Sequence, residues 1–291
     1  MRIGFIGAGR VGFTFGKYMK EHGLQVAGYY SRNPEDSKAA SKFTGTLQFN
    51  NKEDLIDSCD LVMLTVSDNA IASVWDEIKS YHGMAGKIVC HTSGSMSSNI
   101  FKDTPHQIYG YSIHPIYAVS DRYETYRKFS NAFITIEGHE KYLETLKHMI
   151  EDIGLKVAVI NSDSKALYHA SSVMASNLVC GLYEAATSLM TECGMTDSEA
   201  REALKNLFRD NALGIAEKGN VSQLTGPIER GDTSTIRRHL DALRAMEKIE
   251  EKSVKASNLK TIYKELSKQT LKIAKQKNPD RDYHEIEECI K

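Results

Sequence analysis

The pattern of apolar and polar positions changes about halfway along the chain. Short apolar runs typical of buried strands lie at residues 2–6, 24–30, 61–66 and 87–91. Stretches with helical periodicity, such as residues 11–21 and 70–81, lie between them. This alternation predicts a mostly parallel sheet with crossover helices. Two further runs, 132–136 and 156–160, flank a helical stretch near 139–153 and are expected to extend the same sheet.

The second half of the chain is predicted to be helical. From residue 163 onward, strand-like runs disappear and apolar residues recur at helical spacing almost to the end. The polar residues 161–164 supply turn and N-cap chemistry before the first long helix. We therefore predict an α/β fold in which a Rossmann-type, doubly wound, mostly parallel sheet (residues 1–162) is followed by an all-α domain (residues 163–291).

The amino-acid composition limits the kinds of binding partner and the cellular compartment that we expect. The 37 lysines and arginines nearly balance the 38 aspartates and glutamates, which favours a small-molecule partner over nucleic acid or an anionic membrane. The five cysteines are scattered without a CxxC pair, so we expect neither a disulfide framework nor a metal site. No apolar run reaches the roughly 18 residues of a transmembrane helix, and the N-terminus is a poor signal peptide. We expect a soluble, cytoplasmic protein.

The first strand-like run leads into a glycine-rich turn, GFIGAGRVG at residues 4–12. Its glycines fit the G-x-G-x-x-G spacing, which permits a tight turn, close approach to a pyrophosphate and close packing of the next helix. The free N–H groups of that helix favour an anion. A strand before the turn, a helix after it and a second strand further on complete the expected context. We predict dinucleotide binding by Gly7, Ala8, Gly9, Arg10, Val11 and Gly12, the alternative being a purely structural turn.

The end of the second strand indicates which dinucleotide is bound. An NAD site usually has Asp or Glu there, whereas this chain has Ser31, Arg32 and Asn33. The guanidinium of Arg32 can pair with a 2′-phosphate, and its two neighbours can add hydrogen bonds. We therefore predict NADP(H) as the cofactor. The alternative is that Arg32 points to solvent while Asn33 caps the next helix.

Three predicted strand ends are unusually polar. They are TVSDN at 65–69, HTSGS at 91–95 and SIHP at 112–115. Since ligands of doubly wound sheets lie beyond the carboxyl ends of the strands, the first two are expected to line the cofactor. The residues concerned are Thr65, Val66, Ser67, Thr92 and Ser93. His114 is a candidate for contact with the substrate, although a histidine before proline in a turn is often structural.

The stretch KALYHASSVMASN, residues 165–177, combines a polar stripe with apolar surroundings. On a continuous helix Lys165, His169, Ser172 and Ser176 would share one face, and the other positions have the composition of a buried helix. Buried polar groups need partners or a wet cavity, so this face is predicted to be an active-site wall. Lys165 or His169 could donate a proton during hydride transfer, and Asn177 could orient a substrate oxygen. Hydrogen bonding between helices, without a substrate, is the alternative.

The loop LTGPIERGD, residues 224–232, contains a further cation. Arg230 could clamp a substrate carboxylate or form an internal ion pair, and the residues leave both open. Asp232 is expected to cap the following helix rather than hold Arg230.

These motifs, taken in order, resemble a family of two-domain proteins. GFIGAGRVG, HTSGS, SIHP, YHASSVMASN and TGPIERGD are similar to proteins with a Rossmann-like N-terminal domain and a helical C-terminal domain long labelled as of unknown function. Those proteins are related in plan to pyrroline-5-carboxylate reductase and the 6-phosphogluconate dehydrogenase superfamily, and some serve as alternative ketopantoate reductases. The resemblance implies a helical domain like that of 6-phosphogluconate dehydrogenase and a homodimer formed through it. Superfamily members often carry K-x-x-x-N with the lysine as proton donor, whereas this chain has His169 at the asparagine position.

We therefore expect an NADPH-dependent reductase of a small 2-oxoacid, with ketopantoate, reduced to (R)-pantoate, as the first hypothesis. A small carboxylate substrate would be anchored by Arg230 or another cation. One alternative is reduction of a cyclic imine of the pyrroline-5-carboxylate type. The other is a non-catalytic sensor that binds NADP(H) without turnover.

Overall fold

The apolar runs of the first half form the strands of one eight-stranded sheet. The strands are β1 (Arg2–Ile6), β2 (Gln25–Tyr30), β3 (Leu47–Gln48), β4 (Leu61–Leu64), β5 (Ile88–His91), β6 (Tyr109–Ile116), β7 (Phe133–Gly138) and β8 (Lys156–Val159). Their order in the sheet is β3-β2-β1-β4-β5-β6-β7-β8, and all neighbouring pairs are parallel except β6 with β7. The predicted Rossmann-type, mostly parallel sheet is confirmed. The two-residue strand β3 lies in a stretch for which the sequence predicted no strand.

Helices cover both faces of this sheet, as the doubly wound arrangement requires. In the first half they are α1 (Arg10–Glu21), α2 (Pro34–Thr44), α3 (Lys52–Asp57), α4 (Asp68–Ile78), α5 (Leu143–Asp152) and α6 (Lys165–Met174). Alternate strand residues serve opposite faces: Phe5 and Met63 belong to one apolar cluster, and Ile6 and Val62 to the other. Because central strands such as β4 and β5 are buried on both sides, their sequences lack the polar alternation of a half-exposed strand.

The computed structural model describes all 291 residues and divides into two compact units, residues 1–175 and 176–291. This division lies later in the chain than the predicted boundary between residues 162 and 163. The reason is that α6, which was assigned from its helical pattern to the second domain, is bonded to the sheet. Lys165 donates a hydrogen bond to Ser112, and Tyr168 is hydrogen-bonded to His114.

The second unit is entirely helical, as predicted. Its helices are α7 (Asn177–Glu192), α8 (Asp197–Lys218), α9 (Asn220–Gln223), α10 (Pro227–Arg230), α11 (Thr233–Glu247), α12 (Ser253–Lys277) and α13 (His284–Ile290). Thr196 and Glu199 form a capping box at the start of α8, which satisfies free backbone donors there. An apolar cluster that includes Ile236, Leu240 and Ile286 joins α10, α11, α12 and α13. None of the helices is long and apolar enough to span a bilayer.

Candidate cofactor-binding and active site

The glycine-rich turn between β1 and α1 packs closely against β4 and leaves the start of α1 without a side-chain cap. Gly7 has a φ of +105°, and a Cβ there would lie 2.8 Å from the backbone of Thr65. Gly12 lies so close to β4 that a Cβ would be 2.6 Å from Thr65 Oγ1, which itself donates a hydrogen bond to the carbonyl of Gly7 at 2.6 Å. Gly9 is the N-cap of α1 and provides no side-chain cap, so the first N–H groups of the helix are free for an anion.

A cavity of about 550 Å³ opens at this turn, along the carboxyl ends of β1, β2 and β4. Nine of the predicted cofactor residues line it: Gly7, Ala8, Gly9, Ser31, Arg32, Asn33, Thr65, Val66 and Ser67. The predicted residues Arg10, Val11, Gly12, Thr92 and Ser93 are not part of its lining. Arg10 and Val11 begin α1, whereas Gly12 serves the packing of that helix against β4. Asn33 lines the cavity and also caps α2, accepting a hydrogen bond from the Glu35 amide at 3.2 Å.

The cavity has charged residues that the sequence analysis missed. Lys52, at the start of α3, forms an ion pair with Glu77 and lies over the ring of Tyr30, with 5.5 Å from Nζ to the ring centroid. Arg122, from the loop after β6, pairs with Asp36 at 3.3 Å. All of these side chains line the cavity together with Arg32. Three cations thus face two carboxylates, and Arg32, which has no ion-pair partner, supplies the excess positive charge.

A second group of polar side chains surrounds the loop after β5. Ser93 Oγ donates a hydrogen bond to Asp68 Oδ2 at 2.7 Å, which ties this loop to the start of α4. A Cβ on Gly94 would lie 2.8 Å from His114 Nε2 and 2.6 Å from His169 Cδ2. The structure therefore brings together His114 and His169, two of the predicted site residues, beside Gly94, with their ring centroids 6.5 Å apart.

His114 lies within β6 rather than at the end of a strand, where the sequence analysis placed SIHP. The strand continues through Ile116 because β7 runs antiparallel beside it and pairs Thr135 with His114. His114 Nδ1 is 2.7 Å from the hydroxyl oxygen of Tyr168, and Thr135 Oγ1 donates to that hydroxyl at 2.9 Å. Burial, followed by the positive charges of Lys165 and His169, lowers the pKa of His114 to about 4. The ring is therefore neutral at physiological pH.

Lys165 is enclosed at the start of α6. It is only 2% exposed, and its Nζ donates a hydrogen bond to Ser112 Oγ at 2.7 Å. Burial lowers the pKa of Lys165 to about 8, and the negative charge of Glu137 opposes this shift. His169, one helical turn further on, is half-buried. Of the two predicted proton donors, His169 is therefore much more accessible to solvent.

Glu137 is a buried carboxylate that the sequence analysis missed. It is 1% exposed and accepts hydrogen bonds from the Ser98 amide at 2.9 Å, the Ser98 hydroxyl at 2.6 Å and the Ser162 hydroxyl at 2.6 Å. Its cross-strand partner on β6 is Ser112, which binds Lys165. Glu137 therefore joins the turn after β5 to the chain that enters α6. The sequence signal that could have identified Glu137 was a carboxylate within an apolar strand, FITIEG.

The predicted continuous helix over residues 165–177 was wrong. α6 ends at Met174, and α7 begins at Asn177 after a break in which Ser176 has φ −130° and ψ −80°. Ser176 is therefore not on the face of α6 that carries Lys165 and His169, and Asn177 belongs to the second unit. The expectation of a buried helix was also wrong, since Leu167 is 76% exposed.

Arg230 ends α10 in the second unit and is exposed. The internal ion pair considered for it is not formed, because the carboxylate beside it, Glu229, faces Arg281 at 3.9 Å. Asp232 is the N-cap of α11 as predicted, accepting a hydrogen bond from the Thr235 amide at 3.1 Å. Whether Arg230 binds a carboxylate stays a prediction.

Comparison with family models finds two matching segments. Residues 1–115 match the model of a Rossmann-like domain, and residues 132–270 match the model described as a domain of unknown function (DUF2520). No curated protein matches the sequence.

Solved structures share the fold over nearly the whole chain. A Thermotoga maritima protein is 25% identical, with 94% of this chain and 98% of that chain covered at a TM-score of 0.71. A candidate NADP oxidoreductase from Bacteroides fragilis is 20% identical, with 93% and 98% covered at a TM-score of 0.65. Plasmodium falciparum pyrroline carboxylate reductase, solved with NADP bound, is 13% identical, with 94% and 98% covered at a TM-score of 0.55.

Proposed function

We propose that this protein is an NADP(H)-dependent reductase that acts on the C=N or C=O bond of a small carboxylate. The observation that carries the proposal is the cavity at the first βα turn. Its lining includes the backbone of Gly7 and Gly9, the first N–H groups of α1 are free, and Arg32 supplies excess positive charge at the end of β2. These features fit a pyrophosphate and a 2′-phosphate. The solved structures described above as an NADP oxidoreductase and as an NADP-bound reductase support the same class.

The proposed reaction assigns separate tasks to the predicted site residues. A bound reduced nicotinamide would supply a hydride. We assign proton donation to His169 rather than Lys165, because Lys165 is enclosed and bonded to Ser112. The charge of Lys165 acts instead on His114, whose pKa it helps to lower, so that this ring stays neutral. Arg230 is the candidate anchor for the substrate carboxylate.

For the substrate, we place cyclic imines of the pyrroline-carboxylate type ahead of ketopantoate. The pyrroline carboxylate reductase from Plasmodium falciparum shares the fold over 94% of this chain, whereas no comparison supports ketopantoate. Ketopantoate stays in the substrate panel because the sequence motifs suggested it.

The test is calorimetric titration with NADPH and NADH, followed by NADPH oxidation with pyrroline-5-carboxylate, ketopantoate and other 2-oxoacids. We expect tighter binding of NADPH than NADH and turnover of an imine. Arg32→Ala should weaken NADPH much more than NADH, whereas Arg209→Ala, an exposed arginine in the second unit, should change neither. Uptake of neither nucleotide would refute the proposal. Tight NADPH binding without turnover of any substrate would indicate the sensor instead.

We also propose that the second unit forms a homodimer. Its helices α7, α8 and α12 expose large apolar side chains: Leu178, Leu182, Leu207, Phe208, Leu213, Ile215, Val254, Ile262 and Leu266. Apolar surface on this scale is typical of a protein interface, and a second copy of the chain presents the same surface. Light scattering should give twice the 32.5 kDa chain mass. Leu207→Glu should shift this toward the monomer, and Asn206→Glu, an equal charge change beside it, should not. A wild-type monomer would refute the proposal.

A further inference from the structure

Tyr168 was not singled out by the sequence, yet it lies between the sheet and the two histidines. It is on α6, one residue before His169, and its hydroxyl reaches His114 Nδ1 at 2.7 Å. The two rings meet edge to face, with centroids 5.7 Å apart and an interplanar angle of 85°. Because this bond uses one ring nitrogen of His114, it bears on which nitrogen carries the proton.

The direction of the bond follows from the other partner of the phenol. Thr135 Oγ1 donates to the Tyr168 hydroxyl at 2.9 Å, and burial raises the pKa of Tyr168, so the phenol keeps its proton. A phenol has one proton to donate and can accept two hydrogen bonds. Because Thr135 supplies its proton to the phenol oxygen, the phenol's own proton is directed to His114 Nδ1, the other partner of that hydroxyl. The reverse direction would require Thr135 to donate instead to the His114 carbonyl, which is 3.4 Å away.

An imidazole that accepts at Nδ1 and is neutral must carry its proton on Nε2. His114 has the neutral ring because burial and the nearby cations Lys165 and His169 lower its pKa, which the carboxylate of Asp68 only partly opposes. Nε2 is on the opposite side of the ring from Tyr168, beside Gly94, and has no hydrogen-bond partner within the chain. A hydrogen-bond donor is therefore left without an acceptor next to the polar loop after β5.

We propose that Tyr168 is a positioning residue that holds His114 as the neutral Nε2–H tautomer, so that this N–H donates a hydrogen bond to the substrate atom that gains electrons. The contact with a substrate rests on the proposed function. The tautomer of His114 does not, because it is a property of the protein without a substrate. The donor polarises a C=O or C=N bond without giving up its proton. Proton delivery stays with His169.

The decisive measurement is the tautomer of His114 in the ligand-free protein, read from ¹⁵N chemical shifts after histidine labelling. Loss of one signal in His114→Gln identifies it among the ten histidines. We expect the Nε2–H form in the wild type over the neutral pH range. Tyr168→Phe should shift the signal toward a mixture of tautomers, Thr135→Val should do so more weakly, and Thr135→Ser should restore the wild-type spectrum.

The chain offers a matched control in its second unit. His239 Nδ1 is 2.8 Å from the hydroxyl of Tyr263, and those rings are also 5.7 Å apart at 88°. Tyr263→Phe should alter the His239 signal and leave that of His114 unchanged. In turnover, Tyr168→Phe should lower kcat about 10- to 100-fold with little change in KM, and Tyr263→Phe should leave kcat within twofold.

Two results would overturn the inference: an Nδ1–H or positively charged His114 in the wild type, or an unchanged His114 signal in Tyr168→Phe. A normal tautomer response in a protein that reduces no substrate would instead refute the proposed function and the substrate-facing role of His114. The positioning of the ring by Tyr168 would then stand.

Discussion

The enclosed amine of Lys165 should make the stability of the first unit depend on pH in a defined direction. Burial lowers its pKa from 10.5 to about 8 in the folded protein. Between these two values the unfolded chain binds more protons at this group than the folded one, so stability rises with pH. Below about pH 8 the folded state carries the full cost of a buried charge, and above 10.5 the cost disappears. With 1.36 kcal/mol per pKa unit, the shift corresponds to about 3 kcal/mol.

The perturbation that isolates this effect is Lys165→Met, which keeps the length of the side chain and removes its charge. The free energy of unfolding is measured by urea denaturation at several pH values from 7 to 10.5. Trp75, the single tryptophan, is buried in the first unit, so its fluorescence reports on the unit that contains Lys165. Relative to the variant, the wild type should gain about 3 kcal/mol across this range.

Subtracting the variant removes the titrations that both proteins share. His114 does not titrate in this range, because its pKa is about 4. Lys20→Met, an exposed lysine in the same unit, controls for the loss of one positive charge and should give a curve parallel to that of the wild type. The reasoning fails if the difference in free energy of unfolding between wild type and Lys165→Met stays constant within about 1 kcal/mol over this pH range. Burial would then not disfavour the charged form of the amine.

Two further changes test the packing around the site. Gly12→Ala should lower the free energy of unfolding by about 1–3 kcal/mol and weaken nucleotide binding, because its Cβ would lie 2.6 Å from Thr65 Oγ1. Gly181→Ala is the control, since a Cβ there would have no atom within 4 Å. Equal effects of the two substitutions would contradict the close packing at Gly12. Glu137→Leu should cost about 3 kcal/mol or more by leaving the donors of Ser98 and Ser162 unsatisfied. Urea unfolding followed by fluorescence measures both, and near-wild-type stability of the Glu137 variant would show that those donors find other acceptors.

The glycine-rich turn of the candidate cofactor site could be predicted from sequence because its determinants are local. Gly7 is needed for a φ of +105°, and Gly12 for contact with β4, and both requirements appear as glycine spacing within one turn. The residues at the end of β2 could be predicted for the same reason, because β1, α1 and β2 form one short continuous segment. Lys52 and Arg122 reach the same cavity from distant segments, and nothing near them in the sequence indicates it.

A different reason explains why the end of α6 could not be predicted. Residues 174–177, MASN, contain neither glycine nor proline, so local propensity gives no signal to stop. The helical pattern continues into α7, and only the structure places the break at Ala175 and Ser176. That break also decides how the predicted residues are divided: His169 stays in the unit that contains His114, and Asn177 belongs to the second unit.

The arrangement of the candidate catalytic groups depends on the one antiparallel pair in the sheet. Cross-strand pairing sets Glu137 beside Ser112 and Thr135 beside His114, and the two-residue period of strands puts both pairs on one face. α6 contacts the first pair through Lys165 and the second through Tyr168, three residues later. Three residues along a helix rise about 4.5 Å, and two residues along a strand about 6.7 Å, so long side chains can bridge both pairs from a single helical turn.

This match explains why β7 must keep its register beside β6. A shift of one residue in β7 would turn both Thr135 and Glu137 to the opposite face of the sheet. Tyr168 would then lose a hydrogen-bond donor, and Lys165 would lose the nearby carboxylate that partly offsets the burial of its charge. The tautomer of His114 and the protonation of Lys165 are therefore two consequences of the same strand register, although one concerns a neutral ring and the other a buried charge.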